Sequence, residues 1–186
     1  RPVVLLHSDE LEAYHYPPEC PFNSQRASKT VQILSSMGLL AGAGRSVRAP
    51  EPADRATLEK IHTPVYLDAL QQAESGHLPP EAFQMGLGTG DNPVFIGMYD
   101  YAALATGATL LGAELIASGE AVAAFNPSGG YHHAMPSRAG GFCYINDVAL
   151  ACAVLAERGK RVFYLDIDVH HGDGVQAAFY HRSDVM

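Results

Sequence analysis

The stretch RVFYLDIDVHHGDG, residues 161–174, decides the fold. Its first part is rich in apolar side chains, which predicts a buried strand over 161–169. Successive side chains of a strand point to opposite faces, so Asp166, Asp168 and His170 are expected together on one face. A carboxylate and an imidazole two residues apart can bind one cation, and mixed oxygen and nitrogen ligation suits zinc or iron(II) better than calcium. The alternative interpretation is a polar strand end whose acids cap the next helix.

Working outward from this stretch, apolar patterns predict further strands at 3–6 and 121–125. Helices are predicted at 24–40, with Ser24 as a candidate N-cap, and at 56–62, 64–73, 94–118 and 146–158. A polar linker is predicted at 45–54 and a long irregular loop at 76–94. Strands that alternate with helices indicate an α/β fold with a mainly parallel sheet, in which ligands collect at the carboxyl ends of the strands.

A second candidate site is the adjacent pair His132 and His133, which lies between two glycine pairs at 129–130 and 140–141. Glycine gives the backbone the freedom to turn both imidazoles toward one small site. Such a pair suits proton transfer, with Asp166 and Asp173 as candidate partners that fix each tautomer. Taken alone, the pair is better interpreted as two surface histidines, and the nearby acid-rich strand end reverses this preference in favour of the functional interpretation.

Three further positions have both a functional and a structural interpretation. Phe142 follows a double glycine, so it could form the wall of a ligand passage or begin a core helix. Asp91 could serve a site, form an Asx turn or cap the following helix. Arg26 lies near a helix start, where its charge opposes the helix dipole and would benefit from another role. The remaining histidines, apart from those in the two clusters, are assigned to the surface or the core.

The composition excludes several classes of protein. The 186 residues contain 12 Lys and Arg against 20 Asp and Glu, and this net charge of -8 has the wrong sign for sequence-independent nucleic-acid binding. A hydrophobic content of 47% argues against disorder. No apolar run approaches the ~18 residues of a membrane span, so no membrane partner is expected. The three cysteines form no CxxC motif, which predicts a reducing intracellular location, the cytoplasm or the nucleus of a eukaryote.

Two long motifs, NPSGGYHHAMPSRAGGFCYIND at 126–147 and DIDVHHGDGVQAAF at 166–179, resemble those of the zinc-dependent histone deacetylase family, which includes the acetoin utilization proteins. The resemblance extends through QRAS at 25–28, HTPVYL at 62–67 and GTGDNPVF at 88–95, and so covers nearly the whole chain. It implies an arginase-like three-layer α/β fold and zinc-dependent hydrolysis of an N-acetyl amide, in protein lysine or in a small amine, to acetate and a free amine.

The resemblance also implies a role for each candidate residue. Asp168 and His170 would bind zinc, and His132 and His133 would be the acid/base pair, oriented by Asp166 and Asp173 respectively. The substrate would be bound by further residues: Gly141 and Phe142 on the wall of the acyl-lysine tunnel, Asp91 on its rim, and Arg26 in an internal cavity where acetate leaves. Potassium is expected on the backbone of Asp166, Asp168 and His170, with Phe179 at a second potassium site.

The chain departs from the family pattern at two points. The family's third zinc ligand, an aspartate further along the chain, and its oxyanion-binding tyrosine have no counterpart here. Residues 1–186 are therefore expected to be the amino-terminal part of one deacetylase domain with an incomplete sheet. A catalytically inactive fragment with residual metal binding is the alternative hypothesis. A binuclear manganese ureohydrolase is disfavoured, because it would want a carboxylate where this chain has Gly172.

Overall fold

A parallel sheet of three strands, in the order β2-β1-β3, forms one layer of the fold. The structure, a computed structural model, describes residues 1–186. The strands are β1 (Val3–Leu6), β2 (Arg45–Arg48) and β3 (Ala123–Phe125). In this register Val3 lies opposite Arg45 on one side and opposite Ala123 on the other. The α/β class and the parallel pairing agree with the sequence analysis.

The fold also contains seven α-helices and one 3-10 helix. The 3-10 helix is Asp9–Glu12, and the α-helices are α1 (Arg26–Ser36), α2 (Arg55–Leu58), α3 (Pro64–Glu74), α4 (Pro80–Gln84), α5 (Met98–Ala117), α6 (Asp147–Glu157) and α7 (Asp173–Phe179). The N-cap of α1 is Gln25 and not the predicted Ser24, whose hydroxyl donates to the Tyr14 carbonyl. No helix combines the length and the apolarity that crossing a bilayer requires.

The long helix α5 is the centre of the core. It packs on the sheet through small and leucine side chains, among them Ala108 and Leu115 against Val4 and Leu6. A side chain at Gly107 would overlap the Glu51 carbonyl oxygen, so this helix lies in direct contact with the 51–53 backbone. The contact explains why the middle of α5 contains alanine and glycine in place of larger apolar residues.

Two predicted irregular segments contain regular structure. The predicted linker at 45–54 begins with strand β2, whose only apolar residue is Val47. Charged side chains such as Arg45 and Arg48 are common on an edge strand, where they discourage pairing with other chains. A strand with so few apolar residues lacks the apolar alternation from which strands are predicted. The predicted loop at 76–94 contains the short helix α4, which begins at Pro80 and buries Ala82.

The predicted strand at 161–169 is not part of the sheet. Its backbone contacts the segment near Val185: Val162 N–H donates to the Asp184 carbonyl at 3.1 Å and Tyr164 N–H to the Met186 carbonyl at 2.7 Å. Beyond Tyr164 the segment has no neighbouring strand, and Ile167 and Val169 are 90% and 93% exposed. A strand depends on a hydrogen-bonded neighbour, and residues 1–186 supply one for only a short part of this segment.

Candidate active site

Two loops meet at the carboxyl side of the sheet and form the candidate site. The first follows β3 and contains His132 and His133, and the second contains Asp166, Asp168 and His170. The imidazole rings of His132 and His133 have centroids 4.1 Å apart, and those of His133 and His170 are 5.9 Å apart. The structure therefore brings the two candidate clusters of the sequence together in space.

Each histidine of the pair is hydrogen-bonded to its own carboxylate. The Nδ1 atom of His132 lies 2.7 Å from Asp166 Oδ2, and Nδ1 of His133 lies 2.7 Å from Asp173 Oδ1. Because a carboxylate only accepts hydrogen bonds, Nδ1 is the donor in both pairs. In the neutral imidazole this leaves the lone pair on Nε2, where it can accept a proton. These are the partners that the sequence analysis named.

Asp166 accepts more hydrogen bonds than Asp173 does. Partial burial disfavours its charge, but hydrogen bonds from His132, the Tyr164 hydroxyl and the Asp168 backbone N–H outweigh this and lower the pKa to about 2. A side chain at Gly172 would place its Cβ 2.5 Å from Asp166 Oδ2, so only glycine fits beside this carboxylate. Asp166 is therefore ionised at neutral pH and held against His132.

Asp173 is the first residue of α7 and lies in a more open position. Burial again opposes its charge, while hydrogen bonds from His133 and from the Gly174 backbone N–H lower its pKa. The positive end of a helix dipole also favours a carboxylate in the first turn. A side chain at Gly141 would overlap the His133 ring, so backbone packs directly on this imidazole.

Asp168 and His170 present two ligand atoms to the same open side of the site. His170 Nδ1 lies 2.9 Å from Asp168 Oδ1, and the side chains are 71% and 50% exposed for His170 and Asp168 respectively. This contact is a hydrogen bond that Nδ1 donates to the carboxylate. Zinc–ligand bonds of ~2.0–2.1 Å place tetrahedral ligand atoms about 3.3 Å apart, so the two atoms could bind one ion after Nδ1 loses its proton and the pair separates slightly. Residues 1–186 contain no group of three such side chains.

Comparisons with known proteins settle the family. Residues 20–186 match the histone deacetylase domain family. The chain belongs to the histone deacetylase family. It is 40% identical over 187 residues to the acetoin utilization protein AcuC of Bacillus subtilis, covering 100% of this chain and 48% of that protein. It is 34% identical over 186 residues to the histone deacetylase clr6 of Schizosaccharomyces pombe, covering 99% of this chain and 45% of that protein.

Solved histone deacetylase homologues have the same fold. A homologue from Aquifex aeolicus aligns with a TM-score of 0.89, and a homologue complexed with SAHA aligns with 0.90, each at 36% identity. Each alignment covers 100% of this chain and 50% of the solved one. The chain thus has the arginase/deacetylase-like fold that the sequence predicted and spans about half the length of the relatives it matches.

Phe142 and Arg26, two further predicted residues of this deacetylase-family chain, both contact the Phe22 ring. Phe142 stacks on Phe22 at a centroid distance of 5.8 Å, and it has a left-handed backbone with φ of 68°. The Tyr16 hydroxyl donates to the Phe142 carbonyl at 2.8 Å and fixes this unusual conformation. Arg26 lies over the Phe22 ring at 4.7 Å and borders the same cleft as His132.

Asp91 lies on a loop, and Phe179 lies on α7. Asp91 is exposed on the loop before α5, and it is not the N-cap of that helix, because Gly97 occupies that position. Phe179 ends α7 with a buried ring, and its carbonyl accepts a hydrogen bond from Arg182 N–H at 2.9 Å.

Three buried polar residues support this site and were not predicted from the sequence. Asn146 caps α6, and its Nδ2 donates to the His132 and Ala134 carbonyls at 3.3 and 3.0 Å. The imidazole of His62, assigned only to the surface or core, accepts from Asn146 N–H at 3.0 Å through Nε2. Asp147 is fully buried, and burial raises its pKa against the opposing hydrogen bonds, of which that from Thr109 is the strongest. Asn146 and Asp147 lie in the quoted motif, but nothing in their spacing shows which backbone groups they bind.

Proposed function

We propose that this chain carries the amino-terminal part of a zinc-dependent deacetylase that hydrolyses an N-acetyl amide to acetate and a free amine. The observation that carries the proposal is the placement of two histidine–carboxylate pairs beside the Asp168–His170 ligand pair, with imidazole centroids 4.1 and 5.9 Å apart. Membership of the histone deacetylase family supports the same reaction.

The chemistry divides between the metal and the histidines. Zinc bound by Asp168 and His170 would polarise the amide carbonyl and acidify a water molecule, and iron(II) is the alternative metal. The Nε2 atoms of His132 and His133 can accept the proton of the attacking water, because their Nδ1 atoms are engaged by carboxylates. Each carboxylate stabilises the imidazolium that forms, and the proton is then available to the departing amine nitrogen.

A third zinc ligand and an oxyanion donor are required to complete this site. A catalytic zinc site holds three protein ligands and a water molecule. We propose that the whole protein supplies both groups from outside residues 1–186, since its relatives are about twice as long as this chain. The alternative function is an inactive fragment that retains weak metal binding. It is supported by the presence of only two proposed zinc ligands and by four exposed apolar side chains, Phe163, Leu165, Ile167 and Val169.

The proposed substrate is an acetylated amine, either acetyl-lysine in a protein or a small acetylated amine. Gly141 and Phe142 would line the passage for the acyl group, and Asp91 would hold the substrate backbone at the rim. Acetate would leave through the cleft of about 440 Å³ that Arg26 borders together with His132 and Asp166. The net charge of -8 suits a cationic amine.

Potassium is proposed as a structural ion. The backbone carbonyls of Asp166, Asp168 and His170 accept no hydrogen bond, so all three are free to bind a hard cation. The Phe179 carbonyl of the second proposed site already accepts one hydrogen bond, from Arg182, and has one lone pair left for an ion.

An acetate-release assay tests the proposal. The zinc-loaded chain and the whole protein encoded by its gene are each given an acetyl-lysine peptide and an acetylated polyamine. We expect the whole protein to release acetate from at least one substrate. The 186-residue chain should be slower by at least ~10²- to 10³-fold, the usual cost of a lost oxyanion donor alone, because it also lacks the third zinc ligand. Equal turnover by both would contradict the need for outside groups, and no release by the whole protein would contradict the deacetylase assignment.

A further inference from the structure

The Asp147 carboxylate is fully buried and forms no ion pair. Its partners are the backbone N–H of Tyr131 at 2.8 Å, the backbone N–H of Gly130 at 3.1 Å and the Thr109 hydroxyl at 2.5 Å. A buried carboxyl group without these donors would be strongly destabilising. The carboxylate and the loop at 130–131 therefore depend on each other for their conformation.

The same network clamps the beginning of the loop. Asn126 Nδ2 donates to Thr109 Oγ1 at 2.8 Å and to the Ala105 carbonyl at 3.0 Å, which ties the end of β3 to α5. Asn126 Oδ1 accepts from Ser128 N–H at 2.9 Å. The loop is thus fixed by side chains from the point where it leaves the sheet to the residue before His132.

The backbone lies directly on this network at Gly129. A Cβ there would be 2.5 Å from Asp147 Oδ2 and 2.8 Å from Thr109 Oγ1. Real Cβ atoms do not approach polar atoms so closely, so the loop cannot take a larger residue without moving away from Asp147. The close approach shows that the conformation of the loop is set by α5 and α6 together.

We propose that Asp147 and Thr109 are positioning residues for the His132–His133 pair, an inference that rests on the proposed deacetylase function. Neither side chain touches an imidazole, so both act through the backbone of residues 130 and 131. Asn146, the neighbour of Asp147, holds the His132 carbonyl from the other side at 3.3 Å. The start of α6 therefore fixes both flanks of His132 and sets the distance of its Nε2 from the reacting water.

The expected effect is a loss of turnover without a loss of substrate binding. A displacement of about 1 Å at a reacting group can lower the rate by ~10²-fold. Asp147→Asn, which keeps the shape and replaces one acceptor oxygen with an amide donor, is expected to lower kcat by ~10- to 100-fold. Thr109→Val, which removes one donor, is expected to lower kcat by about tenfold, and Thr109→Ser, which keeps the hydroxyl, to restore it to within about threefold of the parent.

The test uses the whole zinc-loaded protein and two independent readouts, kcat and KM on an acetylated substrate and the imidazole ¹⁵N resonances of His132 and His133. Ala153→Gly on α6 is the stability control, because glycine weakens the interior of the same helix and Ala153 has no side chain that could donate to the loop. We expect lower kcat, unchanged KM and shifted ¹⁵N resonances in Thr109→Val. In Ala153→Gly we expect the kcat, the KM and the resonances of the parent.

Two results would overturn the positioning role. One is a Thr109→Val variant that melts at a lower temperature but keeps the kcat and the histidine spectrum of the parent. The other is an equal loss of kcat in Thr109→Val and Thr109→Ser. If the parent itself releases no acetate, the deacetylase proposal fails, and the ¹⁵N resonances alone then decide whether Thr109 and Asp147 fix the histidine pair.

Discussion

His133 and Asp173 lie 40 residues apart in the chain and are joined by a hydrogen bond of 2.7 Å between Nδ1 and Oδ1. The carboxylate belongs to the first turn of α7, and the imidazole belongs to the loop after β3. This bond holds the Nδ1–H tautomer and leaves Nε2 as the proton acceptor. The proposed chemistry depends on it and on the matching bond from His132 to Asp166.

Replacement of the orienting carboxylate should slow the chemical step. Asp173→Asn keeps the size of the side chain, but its amide can donate to Nδ1 and so favours the tautomer with the proton on Nε2. We expect kcat to fall by ~10²- to 10⁴-fold, the range for general acid/base groups, with zinc still bound. Steady-state kinetics and metal analysis of the whole protein check this. Asp184→Asn is the matched control, because this carboxylate pairs only with Arg182. A kcat in Asp173→Asn equal to that of the parent would refute the orienting role of Asp173.

Removal of Asp168, a proposed metal ligand, should lower the affinity for zinc. In Asp168→Ala only His170 remains of the ligand pair, so the affinity for zinc should fall by more than the ~10- to 100-fold typical of an outer hydrogen-bond partner. The measurement is a competition titration of the whole protein with a zinc chelator. The expected affinity also decreases in acid, because the ligands must be deprotonated. Stoichiometric zinc at parental affinity in Asp168→Ala would show that the ligands lie elsewhere.

Phe142 should determine how the acyl chain is accommodated. Its ring stacks on Phe22, and its backbone is held in the left-handed region. We expect Phe142→Ala to raise KM for acetyl substrates and to alter the ranking of substrates by acyl length, because one apolar wall is lost. Kinetics with acetyl, propionyl and butyryl peptides provide the measurement, and identical constants for parent and variant across the series would place the ring in the core instead.

Stability should decrease in mild acid because of His62. The imidazole is 1% exposed, and burial, opposed by its hydrogen bond to the Met135 carbonyl, lowers the pKa to about 4. Between pH ~6.5 and 4 the unfolded chain binds a proton at His62 that the folded chain does not, so acid favours unfolding across this window. The contribution between pH 7 and pH 5 is about 2 kcal/mol.

Urea unfolding of the whole protein at pH 7 and pH 5 measures this effect. His62→Gln removes the titrating group and keeps a donor and an acceptor. Between the two pH values, the free energy of unfolding of the variant should therefore change by about 2 kcal/mol less than that of the parent. The same pH dependence in both proteins would assign the acid sensitivity to other groups.

The sequence was sufficient for the parts of the site that depend on local pattern. Strand β1 was predicted with its observed bounds. The histidine pair and the acid-rich segment were each predicted to follow a strand, where ligands collect, and the structure brings the two clusters together although the second strand does not form. The bonds from His132 to Asp166 and from His133 to Asp173 agree with the partners inferred from the motifs. These features follow from side chains that are close in sequence or that belong to one distinctive motif.

The remaining features depend on long-range contacts that no local pattern encodes. β2 forms because β1 offers it a free edge, although the sequence Arg-Ser-Val-Arg has little strand character. The strongest strand pattern, at 161–169, lies outside the sheet because a strand requires a neighbour. The burial of the Asp147 carboxyl group was not predicted, because the groups that donate to it, the Thr109 hydroxyl and the 130–131 backbone, belong to other elements.

The most direct test of the proposed mechanism is the rate of acetate release per bound zinc ion from an acetyl-lysine peptide, measured for the whole protein and its His133→Ala variant. We predict equal zinc content and a rate that is lower by ~10²- to 10⁴-fold in the variant, because the proton acceptor is lost and the proposed metal ligands Asp168 and His170 are intact. Equal rates in both proteins at equal zinc content would contradict it.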